Sequence, residues 1–520
     1  MHSPQSGRSA YQRVVLNVRC KLRIEGEFLS EHIFFIGIGG IGVSALAQLA
    51  QARGKRVSGS DPNAEPENNP AVARLLAGGA KVFRTHLAEN LAPDVSLIVA
   101  SAAISESNPE MRAGLERGVR VVSRAEYLGE LMAAHQGLKI AVAGTHGKTT
   151  TTGMIGVLLQ HAGLDPTVFV GGEVAQIGGN VRIGSETGPF VAEACEAYDS
   201  FHSLKPDIAV ITNLEADHLD HYGTFERVQE SFAKFLSGVS NDAESGIVIC
   251  DDDQNVRELM ESFNGSQKLY RYGIESENAI SRAENIRIER CPAFDWKYPE
   301  CWKTKVRLEV PGKHNIYNAL AAATVGRILG VSEGEIAEGL GAFHGAARRQ
   351  DLLGEVELEG GGDVLVFDDY AHHPTEIRVT LEALRGAYPE RKLIAIFQPH
   401  LYSRTRDFLN EFATSLALAD ALIVTDIYPA RESPIEGVRA ENIVQLAIKA
   451  NPKMPSLYLP DKNDIPRILA DLVNPNDLTV FLGAGDIRDQ GVQFVKIMRM
   501  EDPIEEIENT EIEKPEEWNT

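Results

Sequence analysis

The sequence predicts an α/β fold in three domains: a Rossmann-like N-terminal domain, a central domain of P-loop type and a Rossmann-like C-terminal domain. The first observation is the alternation of short apolar runs, such as HIFFIGIG and LKIAVA, with helical patterns, which is typical of parallel sheets covered by helices. The second is that a glycine loop follows the first predicted strand of two separate blocks. The third is the length of 520 residues, which suits domains of roughly 100 to 200 residues each.

The order of these patterns sets the predicted domain boundaries. Residues 31–137 contain the first glycine loop, and residues 138–346 begin again with a strand and the second loop. Residues 347–495 alternate strands and helices once more, from DVLVFDDYA to LTVFLGAG. The polar N-terminal extension, 1–30, lacks the apolar segment of a signal peptide. We expect the acidic tail, 496–520, to be disordered, because its last twenty residues hold nine acidic side chains and one lysine.

The composition restricts the class of protein. A formal net charge of −23 disfavours binding to nucleic acid or to an anionic membrane. Five cysteines without paired spacing argue against a disulfide framework or a zinc ribbon, and they suit the reducing cytoplasm, where we expect the protein to act. The nearly uncharged stretch 32–50 is long enough to cross a bilayer, but its central glycines favour a strand, a turn and a helix. We therefore expect no membrane insertion.

The first glycine loop has the pattern of a site for a nucleotide diphosphate. Gly37, Gly39 and Gly42 form GxGxxG after a strand and at the start of a helix, where backbone N–H groups favour a pyrophosphate. Asp61 follows about twenty residues later, at the end of the second strand, where it could accept a hydrogen bond from a ribose or a base. The motif alone is typical of NAD sites, and a tight turn that packs helix on strand is the other alternative. The pattern does not specify the nucleotide.

The second glycine loop predicts a triphosphate site. Gly144, Gly147, Lys148 and Thr149 lie in GTHGKT, between the strand LKIAVA and a helix. The loop amides and the lysine can hold phosphate oxygens, and the threonine hydroxyl is placed to bind Mg²⁺. The match covers only the GKT core of GxxxxGK[ST], because Val142 stands where that pattern has its first glycine. Against the alternative of a coincidental turn, the flanking strand and helix favour ATP or GTP with magnesium.

Acidic side chains and a histidine follow two predicted strands of the central domain. Glu193 and Glu196 lie at the end of FVAEAC, and Glu215, Asp217 and His218 follow IAVITN. Because ligands of open α/β sheets bind at the carboxyl ends of strands, we expect these side chains beside the phosphate loop. Mg²⁺ prefers oxygen ligands, so a carboxylate such as Glu196 fits it well. His218 is an unusual magnesium ligand, and a single histidine is more often a hydrogen-bonding group.

Polar residues at and beyond the second domain junction predict another half of this site. Arg348 and Arg349 lie at the junction; adjacent arginines are usually solvated, but near a triphosphate one of them could hold the γ-phosphate. Six further polar residues follow strands of the C-terminal block, where ordinary strand capping is the alternative to a functional role. They are Asp368, Asp369, His372, His373, His400 and Arg404.

Together, these motifs resemble those of the Mur ligases over almost all of residues 32–490. The resemblance is carried by GIGGIGVSALA, GTHGKTTTT, NLEADHLDHY, GKHNIYNALAA, GAARRQD, DDYAHHPTEI, FQPHLYSRT and GAGDI. It implies an ATP-dependent ligation of L-alanine to the carboxylate of UDP-N-acetylmuramate through an acyl phosphate, in peptidoglycan precursor synthesis, with a central ATPase domain. The implied cofactors are ATP and Mg²⁺, the UDP-sugar and L-alanine are the small-molecule partners, and the assembly is a monomer or homodimer.

The resemblance also implies a role for each matching residue. The first loop would hold the UDP-sugar through Gly37, Gly39, Gly40, Gly42 and Asp61. ATP would contact Gly144, Thr145, His146, Gly147, Lys148, Thr149, Thr150, His314, Asn318, Arg349 and Asp369. Magnesium would be bound by Thr149, Glu196 and His218, and the amino acid by Tyr370, His372, His400 and Arg404. The residues implied in catalysis are Lys148, Arg349, His372 and Arg404.

Two positions depart from the family pattern, and the sequence leaves alternatives open. Leu401 stands where arginine is frequent, and Cys195 stands where aspartate is frequent, which affects substrate contacts and not the reaction class. The proton acceptor for the amine is either a histidine such as His372 or a nearby carboxylate. The alternative functions are a Mur ligase that adds a preformed peptide, an NAD-binding oxidoreductase and a non-catalytic nucleotide-binding regulator.

Overall fold

The computed structural model describes residues 31–499, apart from 68, 102, 103, 243, 300 and 359. The predicted N-terminal extension lies outside the described residues, as does the predicted acidic tail from residue 500 onward. The described chain forms three α/β units, each around its own sheet, which confirms the predicted fold class. The sheets span residues 32–123, 139–307 and 351–482, so each lies within one predicted domain, although the boundaries themselves stay predictions.

The first sheet has five parallel strands in the order β3-β2-β1-β4-β5. Its central strand is buried on both faces, since Ile33 and Phe35 pack into one hydrophobic cluster while Phe34 and Ile36 pack into another with Met111. In this strand order the loop after β1 lies at the switch point where such sheets bind ligands. The strands are β1 His32–Ile36, β2 Arg56–Ser60, β3 Lys81–Phe83, β4 Val95–Ala100 and β5 Arg120–Ser123, and the helices are α1 Ile41–Ala52, α2 Pro70–Ala77, α3 Pro109–Glu116 and α4 Arg124–Ala133.

The second sheet has ten strands in the order β15-β14-β13-β12-β11-β10-β6-β9-β7-β8. Its centre is parallel, and antiparallel pairs form at both edges. The strands are β6 Lys139–Ala143, β7 Thr167–Val174, β8 Gly179–Arg182, β9 Phe190–Glu193, β10 Ile208–Ile211, β11 Gly246–Cys250, β12 Leu269–Gly273, β13 Ser281–Arg287, β14 Ala293–Tyr298 and β15 Cys301–Arg307. The helices are α5 Lys148–His161, α6 Leu219–Tyr222, α7 Phe225–Ser237, α8 Gln254–Ser262, α9 Lys313–Ile328 and α10 Glu333–Gly341.

The third sheet has six strands in the order β16-β17-β21-β18-β19-β20, with only the edge strand β16 antiparallel to its neighbour. The strands are β16 Asp351–Glu357, β17 Asp363–Asp369, β18 Leu393–Phe397, β19 Ala421–Val424, β20 Ser456–Tyr458 and β21 Leu478–Leu482. The helices are α11 Pro374–Ala387, α12 Tyr402–Asp407, α13 Leu409–Leu416, α14 Glu441–Ala450, α15 Ile465–Leu472 and α16 Ile487–Met498. Short 3-10 turns lie at Ala88–Asn90, Ala175–Ile177, Ala197–Ser203 and Lys462–Asp464.

Helices α5 and α9 pack together in the main hydrophobic cluster of the central domain. The alanine-rich sequence of α9 allows the two helices to approach closely. Asn318 of α9 accepts a hydrogen bond from Thr151 Oγ1 at 3.1 Å, and a Cβ at Gly147 would lie 2.7 Å from Asn318 Oδ1. The second helix therefore fixes the start of the first, where the second glycine loop ends. Among the described residues no helix is both long enough and apolar enough to cross a membrane.

Strand β7 contacts both neighbouring domains. Glu173 accepts a hydrogen bond on its carboxylate from Arg74 of the N-terminal domain at 2.9 Å, and its carbonyl accepts one from Ala347 N at 2.8 Å. The fully buried Asn180 of β8 donates to Ile41 O and so ties the start of α1 to the central sheet. These contacts hold the first glycine loop in a fixed position relative to the second.

The connection to the C-terminal domain carries unusual backbone. Arg348 and Gln350 have positive φ values of 61° and 48°, and Arg349 lies between them. The left-handed region is disfavoured for residues with a Cβ. Here it is stabilised by neighbours on both sides, since Tyr370 N donates to Arg348 O at 2.7 Å and Gln350 N donates to Asp369 Oδ2 at 3.0 Å.

Candidate active site

The first glycine loop is held by side chains of its own domain. Gly39 N donates to Asp61 Oδ2 at 3.0 Å, and a Cβ at Gly39 would lie 2.9 Å from that oxygen. Gly37 has a φ of 83°, Gly40 is exposed just before α1, and a Cβ at Gly42 would lie 2.9 Å from the guanidinium of Arg124. The structure thus gives Asp61 a part in fixing the loop, while its predicted contact with the nucleotide stays a prediction.

The second glycine loop joins β6 to α5 and has the backbone of a phosphate loop. Gly144 and Gly147 have φ values of 134° and 79°, and a Cβ at Gly144 would lie 2.0 Å from Thr212 Oγ1. Thr145 N donates to Asn213 O at 3.1 Å and His146 N donates to Asn213 Oδ1 at 2.8 Å, which anchors the loop to the end of β10. Because α5 begins directly after the loop, its N-terminus favours an anion there.

Lys148 and Thr149, the first two residues of α5, each contact a carboxylate. Lys148 Nζ donates to Glu196 Oε1 at 2.9 Å and to Gly144 O at 2.7 Å. Burial acts to lower the pKa of Lys148, but Glu196 and the neighbouring Glu193 and Cys195 together outweigh it and raise the pKa, so the ammonium is retained. Thr149 Oγ1 donates to Glu193 Oε2 at 2.9 Å.

The groups around Glu196 fit a hard divalent cation. Glu196 is 3% exposed, and within the described residues its Oε2 is buried without a hydrogen-bond partner, which leaves an acceptor oxygen for an ion. His218 Nε2 lies 3.8 Å from Glu196 Oε1, and Thr149 follows the lysine that contacts the same carboxylate, although its own hydroxyl donates to Glu193. The structure thus places two of the three predicted magnesium ligands, Glu196 and His218, against each other, with Thr149 next to Lys148 in α5. Oxygen donors of this kind suit Mg²⁺, and the ion itself stays a prediction.

A cavity of about 350 Å³ lies between the central and C-terminal domains. Eight of the eleven residues predicted to bind ATP line it: His146, Gly147, Thr149, Thr150, His314, Asn318, Arg349 and Asp369. The other three, Gly144, Thr145 and Lys148, are not part of this lining. The ammonium of Lys148 is directed to Glu196 instead. The cavity joins the phosphate loop to the domain connection, as a nucleotide site between two domains requires.

Arg349 and Asp369 form the wall of this cavity opposite the phosphate loop. Arg349 Nη1 lies 3.4 Å from Glu376 Oε1, and its guanidinium carbon lies 5.5 Å from the centre of the Tyr370 ring. Burial raises the pKa of Asp369 to about 6, although the charge of Arg349 opposes the rise. Burial and Arg349 together lower the pKa of His314 to about 4, so this imidazole is neutral near pH 7.

His146 lies between carboxylates of two domains. Its Nδ1 lies 3.4 Å from Glu376 Oε1 of α11, and its Nε2 lies 3.5 Å from Glu215 Oε2 of the central domain. Burial acts to lower the pKa of His146, but the two carboxylates outweigh it and raise the pKa to about 9. Thr375 Oγ1 of the C-terminal domain donates to Glu215 Oε2 at 2.7 Å, and His373 packs its ring 4.8 Å from that of His146.

The predicted amino-acid site is organised around an ion pair between domains. Arg404 Nη2 donates to Asp217 Oδ1 at 2.8 Å, and both side chains are less than 10% exposed. The His400 ring lies 6.0 Å from that of His372, and Arg404 Nη1 lies 3.5 Å from His400 Nδ1. His372 Nδ1 donates to Tyr370 O at 2.9 Å, which leaves the Nε2 lone pair free. The structure thus gathers all four predicted residues at one edge of the C-terminal sheet.

Three family models match successive parts of the chain. They are described as the catalytic domain of the Mur ligase family, over residues 32–136, the Mur ligase middle domain, over 142–326, and the glutamate ligase domain of Mur ligases, over 348–485. The chain belongs to the Mur ligase family. This Mur ligase therefore catalyses formation of a C–N bond, and the alternative of an NAD-binding oxidoreductase is wrong.

Individual relatives match this Mur ligase over nearly its whole length. A UDP-N-acetylmuramate–L-alanine ligase from Trichlorobacter lovleyi is 40% identical over 469 residues, which are 90% of this chain and 98% of the relative. The solved structure of a UDP-N-acetylmuramate–alanine ligase from Thermotoga maritima has a TM-score of 0.75 at 28% identity and covers 91% of this chain and 100% of its own. A murein peptide ligase from Psychrobacter arcticus has a TM-score of 0.67 at 27% identity, covering 90% and 99%.

Several residues of the site were not assigned a role from the sequence. Glu376 contacts His146, Arg349 and His372, yet it lies inside a helix where no local pattern distinguishes it. Arg124 reaches the first glycine loop from the start of α4. Glu193 was noted at a strand end, and its contact with Thr149 shows what that position does. The motif DDYAHHPTEI contains Glu376 and was the one signal that could have drawn attention to it.

Proposed function

We propose that this protein joins L-alanine to the carboxylate of UDP-N-acetylmuramate at the expense of ATP, in peptidoglycan precursor synthesis. The observation that carries the proposal is the cavity between two domains, which has a phosphate loop on one wall and Arg349 on the other. The choice of substrates is supported by curated relatives of 40 to 42% identity, which carry the name UDP-N-acetylmuramate–L-alanine ligase.

The reaction needs an activated carboxylate, because a carboxylate anion is a poor electrophile. A muramate oxygen attacks the γ-phosphorus of ATP, ADP leaves, and an acyl phosphate forms. Two anions must approach each other in this step, and the cations Lys148 and Arg349 offset their repulsion. Both arginine and lysine keep their charge in the buried site, since carboxylate neighbours outweigh the effect of burial.

Thr149, Glu196 and His218 would hold the magnesium ion. When bound, Mg²⁺ neutralises phosphate charge and makes the γ-phosphorus more electrophilic. Lys148 meanwhile holds Glu196 in position through its 2.9 Å hydrogen bond. The loop amides and the N-terminus of α5 bind the remaining phosphate charge.

The second step is attack of the amine on the acyl phosphate. L-Alanine would lie between Tyr370, His372, His400 and Arg404, where the arginine can bind the amino-acid carboxylate. Burial lowers the pKa of His372 to about 3, so its free Nε2 orients the amine as a neutral acceptor. The new C–N bond replaces the C–O bond to phosphate, and the departing inorganic phosphate takes up the proton that the amine nitrogen loses. The cavity between the domains limits access of water to the acyl phosphate.

The UDP-sugar would bind at the first glycine loop, through Gly37, Gly39, Gly40 and Gly42. Arg124 adds a cation beside that loop, and the contacts of Asn180 with α1 hold the loop against the central domain. We place the enzyme in the cytoplasm, where ATP is available and where the free thiols of Cys195, Cys250 and Cys291 are stable.

The test is phosphate release from ATP with Mg²⁺ and UDP-N-acetylmuramate, with L-alanine, glycine, L-serine and a free tripeptide compared as the attacking amine. We expect release to require both the UDP-sugar and L-alanine, with the amide product confirmed by mass spectrometry. Release only with the tripeptide would move the chain to the peptide-adding branch. ATP binding without release under any pair would contradict the ligase assignment for this chain.

A further inference from the structure

The histidine pair between the central and C-terminal domains has the composition of a transition-metal site. One ring nitrogen each of His146 and His373 and a carboxylate oxygen of Glu215 lie within 4.8 Å of one another. Two of these separations are shorter still, since Glu215 Oε2 lies 3.5 Å from His146 Nε2 and 3.8 Å from His373 Nδ1. Two imidazoles and a carboxylate are a ligand set that Zn²⁺ favours, whereas Mg²⁺ prefers oxygen alone.

His146 has the orientation of a metal-bound histidine whose second ring nitrogen contacts a carboxylate. Its Nδ1 is directed to Glu376 Oε1 at 3.4 Å, so this carboxylate holds the Nδ1–H, and an ion that binds at Nε2 takes the place of the proton that the ring carries between the two carboxylates. His146 Nε2 is buried and has no hydrogen-bond partner. A carboxylate behind a histidine fixes the tautomer and strengthens the imidazole as a ligand, as in many zinc sites.

His373 is the second imidazole of this cluster, and it is buried. Its side chain is 5% exposed, and the ring nitrogen that faces Glu215 is Nδ1, which accepts a long hydrogen bond of 3.4 Å from Thr375 N and therefore carries the lone pair that a metal ligand needs. The Glu215 side chain is 32% exposed and lines the cavity, which gives an ion a route into the cluster.

We propose that His146, Glu215 and His373 bind one divalent transition-metal ion of the Zn²⁺ type, at a site separate from the Glu196 magnesium site. Two ligands come from the central domain and one from the C-terminal domain, so the ion links the two domains across the wall of the nucleotide cavity. A small inward movement of the three side chains completes the coordination, since zinc–ligand bonds are about 2.0 to 2.2 Å long. The fourth position is left for water or a phosphate oxygen.

Cobalt(II) gives a direct readout of this site in the full-length protein. Four-coordinate Co²⁺ with nitrogen ligands absorbs strongly in the visible region, whereas six-coordinate Co²⁺ in an oxygen-rich magnesium site absorbs weakly. We expect nucleotide-free protein to give strong bands that saturate at one Co²⁺ per chain and disappear when Zn²⁺ is added. Absence of such bands from the wild-type protein would overturn the proposal.

Substitution of the two proposed histidine ligands tests where the ion binds. His146→Gln and His373→Gln should each weaken Co²⁺ binding at least tenfold and remove the strong bands, because each loses one of the two imidazoles. The matched control is His218→Gln, which removes the histidine of the Glu196 site and should leave the bands unchanged. Bands that survive both His146→Gln and His373→Gln, or that disappear only in His218→Gln, would contradict the assignment.

A measurement on the wild-type protein does not depend on whether the variants fold. X-ray absorption at the zinc edge counts the imidazoles around a bound Zn²⁺. Two imidazoles are expected for the proposed site, whereas the site with Glu196 and His218 offers one. A coordination sphere with one imidazole or none would overturn the proposal, and this outcome is independent of whether L-alanine is the substrate.

Discussion

The two glycine loops of this chain follow equivalent strands, yet they are completed in different ways. The first loop is fixed mainly by two side chains of its own domain, Asp61 and Arg124, while Asn180 of the central domain contacts the start of α1 just beyond it. The second loop presents His146 to Glu376 and lies across a cavity from Arg349, both beyond the central domain. The side chains that fix the first loop therefore lie largely within one domain, whereas the second site depends on the arrangement of two domains. Substitutions in the two loops should therefore affect different properties of the enzyme, namely kcat for the second loop and KM for the UDP-sugar for the first.

The largest effect is expected at the second loop. Lys148→Ala removes the buried ammonium that contacts Glu196 and offsets phosphate charge, so kcat should fall by about 10²–10³-fold. Affinity for the UDP-sugar, measured by calorimetry without ATP, should stay within about twofold if the first site is complete on its own. The control is Lys234→Ala, an exposed lysine of α7, which should behave as wild type. Loss of UDP-sugar binding in Lys148→Ala would show that the first site depends on the second glycine loop.

The next largest effect concerns the ion pair across the domains. Arg404→Ala leaves Asp217 buried without its partner, and Asp217→Asn does the reverse, so each should reduce kcat/KM by about 10–100-fold. Because the two act through one contact, the double variant should be less impaired than the product of the single effects, with a coupling energy of about 1–3 kcal/mol. Simple multiplication of the two losses would show that the pair does not act as a unit.

A moderate effect is expected at the first loop. Gly39→Ala places a Cβ 2.9 Å from Asp61 Oδ2, so the loop must shift, and KM for the UDP-sugar should rise by about tenfold, or ~1.4 kcal/mol. KM for ATP should be nearly unchanged, since the second loop is not involved. Gly334→Ala, where a Cβ meets nothing within 4 Å, is the control. Equal increases in both KM values would mean that the two loops are not independent.

The smallest effect is on pH dependence. The folded-state pKa of His146 is raised to about 9 from an unfolded value near 6.5, so its stabilisation is complete below about pH 6.5 and is lost as the pH rises through 9. The difference in Tm between wild type and His146→Gln should therefore shrink from pH 6 to pH 9. The expected decrease is about 2–4 °C for each kcal/mol of unfolding free energy that wild type loses over this pH range. A difference in Tm that stays constant with pH would contradict the stabilising contacts of His146 with carboxylates of both domains.

The same comparison explains what the sequence predicted and what it did not. Both loops were predicted because glycine spacing, a preceding apolar strand and a following helix are local signals. The contact of Arg404 with Asp217 joins residues far apart in the chain, in two different domains, and no local period reports such a contact. Glu376 was missed because a carboxylate in the first turn of a helix is ordinarily a favourable charge at the helix N-terminus. The part that Asp61 plays in fixing the first loop appeared only in three dimensions.

Arg349, which faces the triphosphate loop, lies in the connection between two domains, between two residues of left-handed backbone. Most connecting segments accept insertions and deletions because they carry no geometry of their own. Here one added residue would displace the guanidinium by up to about 3.5 Å, more than the length of a hydrogen bond. The length of this connection is therefore itself a requirement of the chemistry, so natural variation in chain length should be found elsewhere in the molecule.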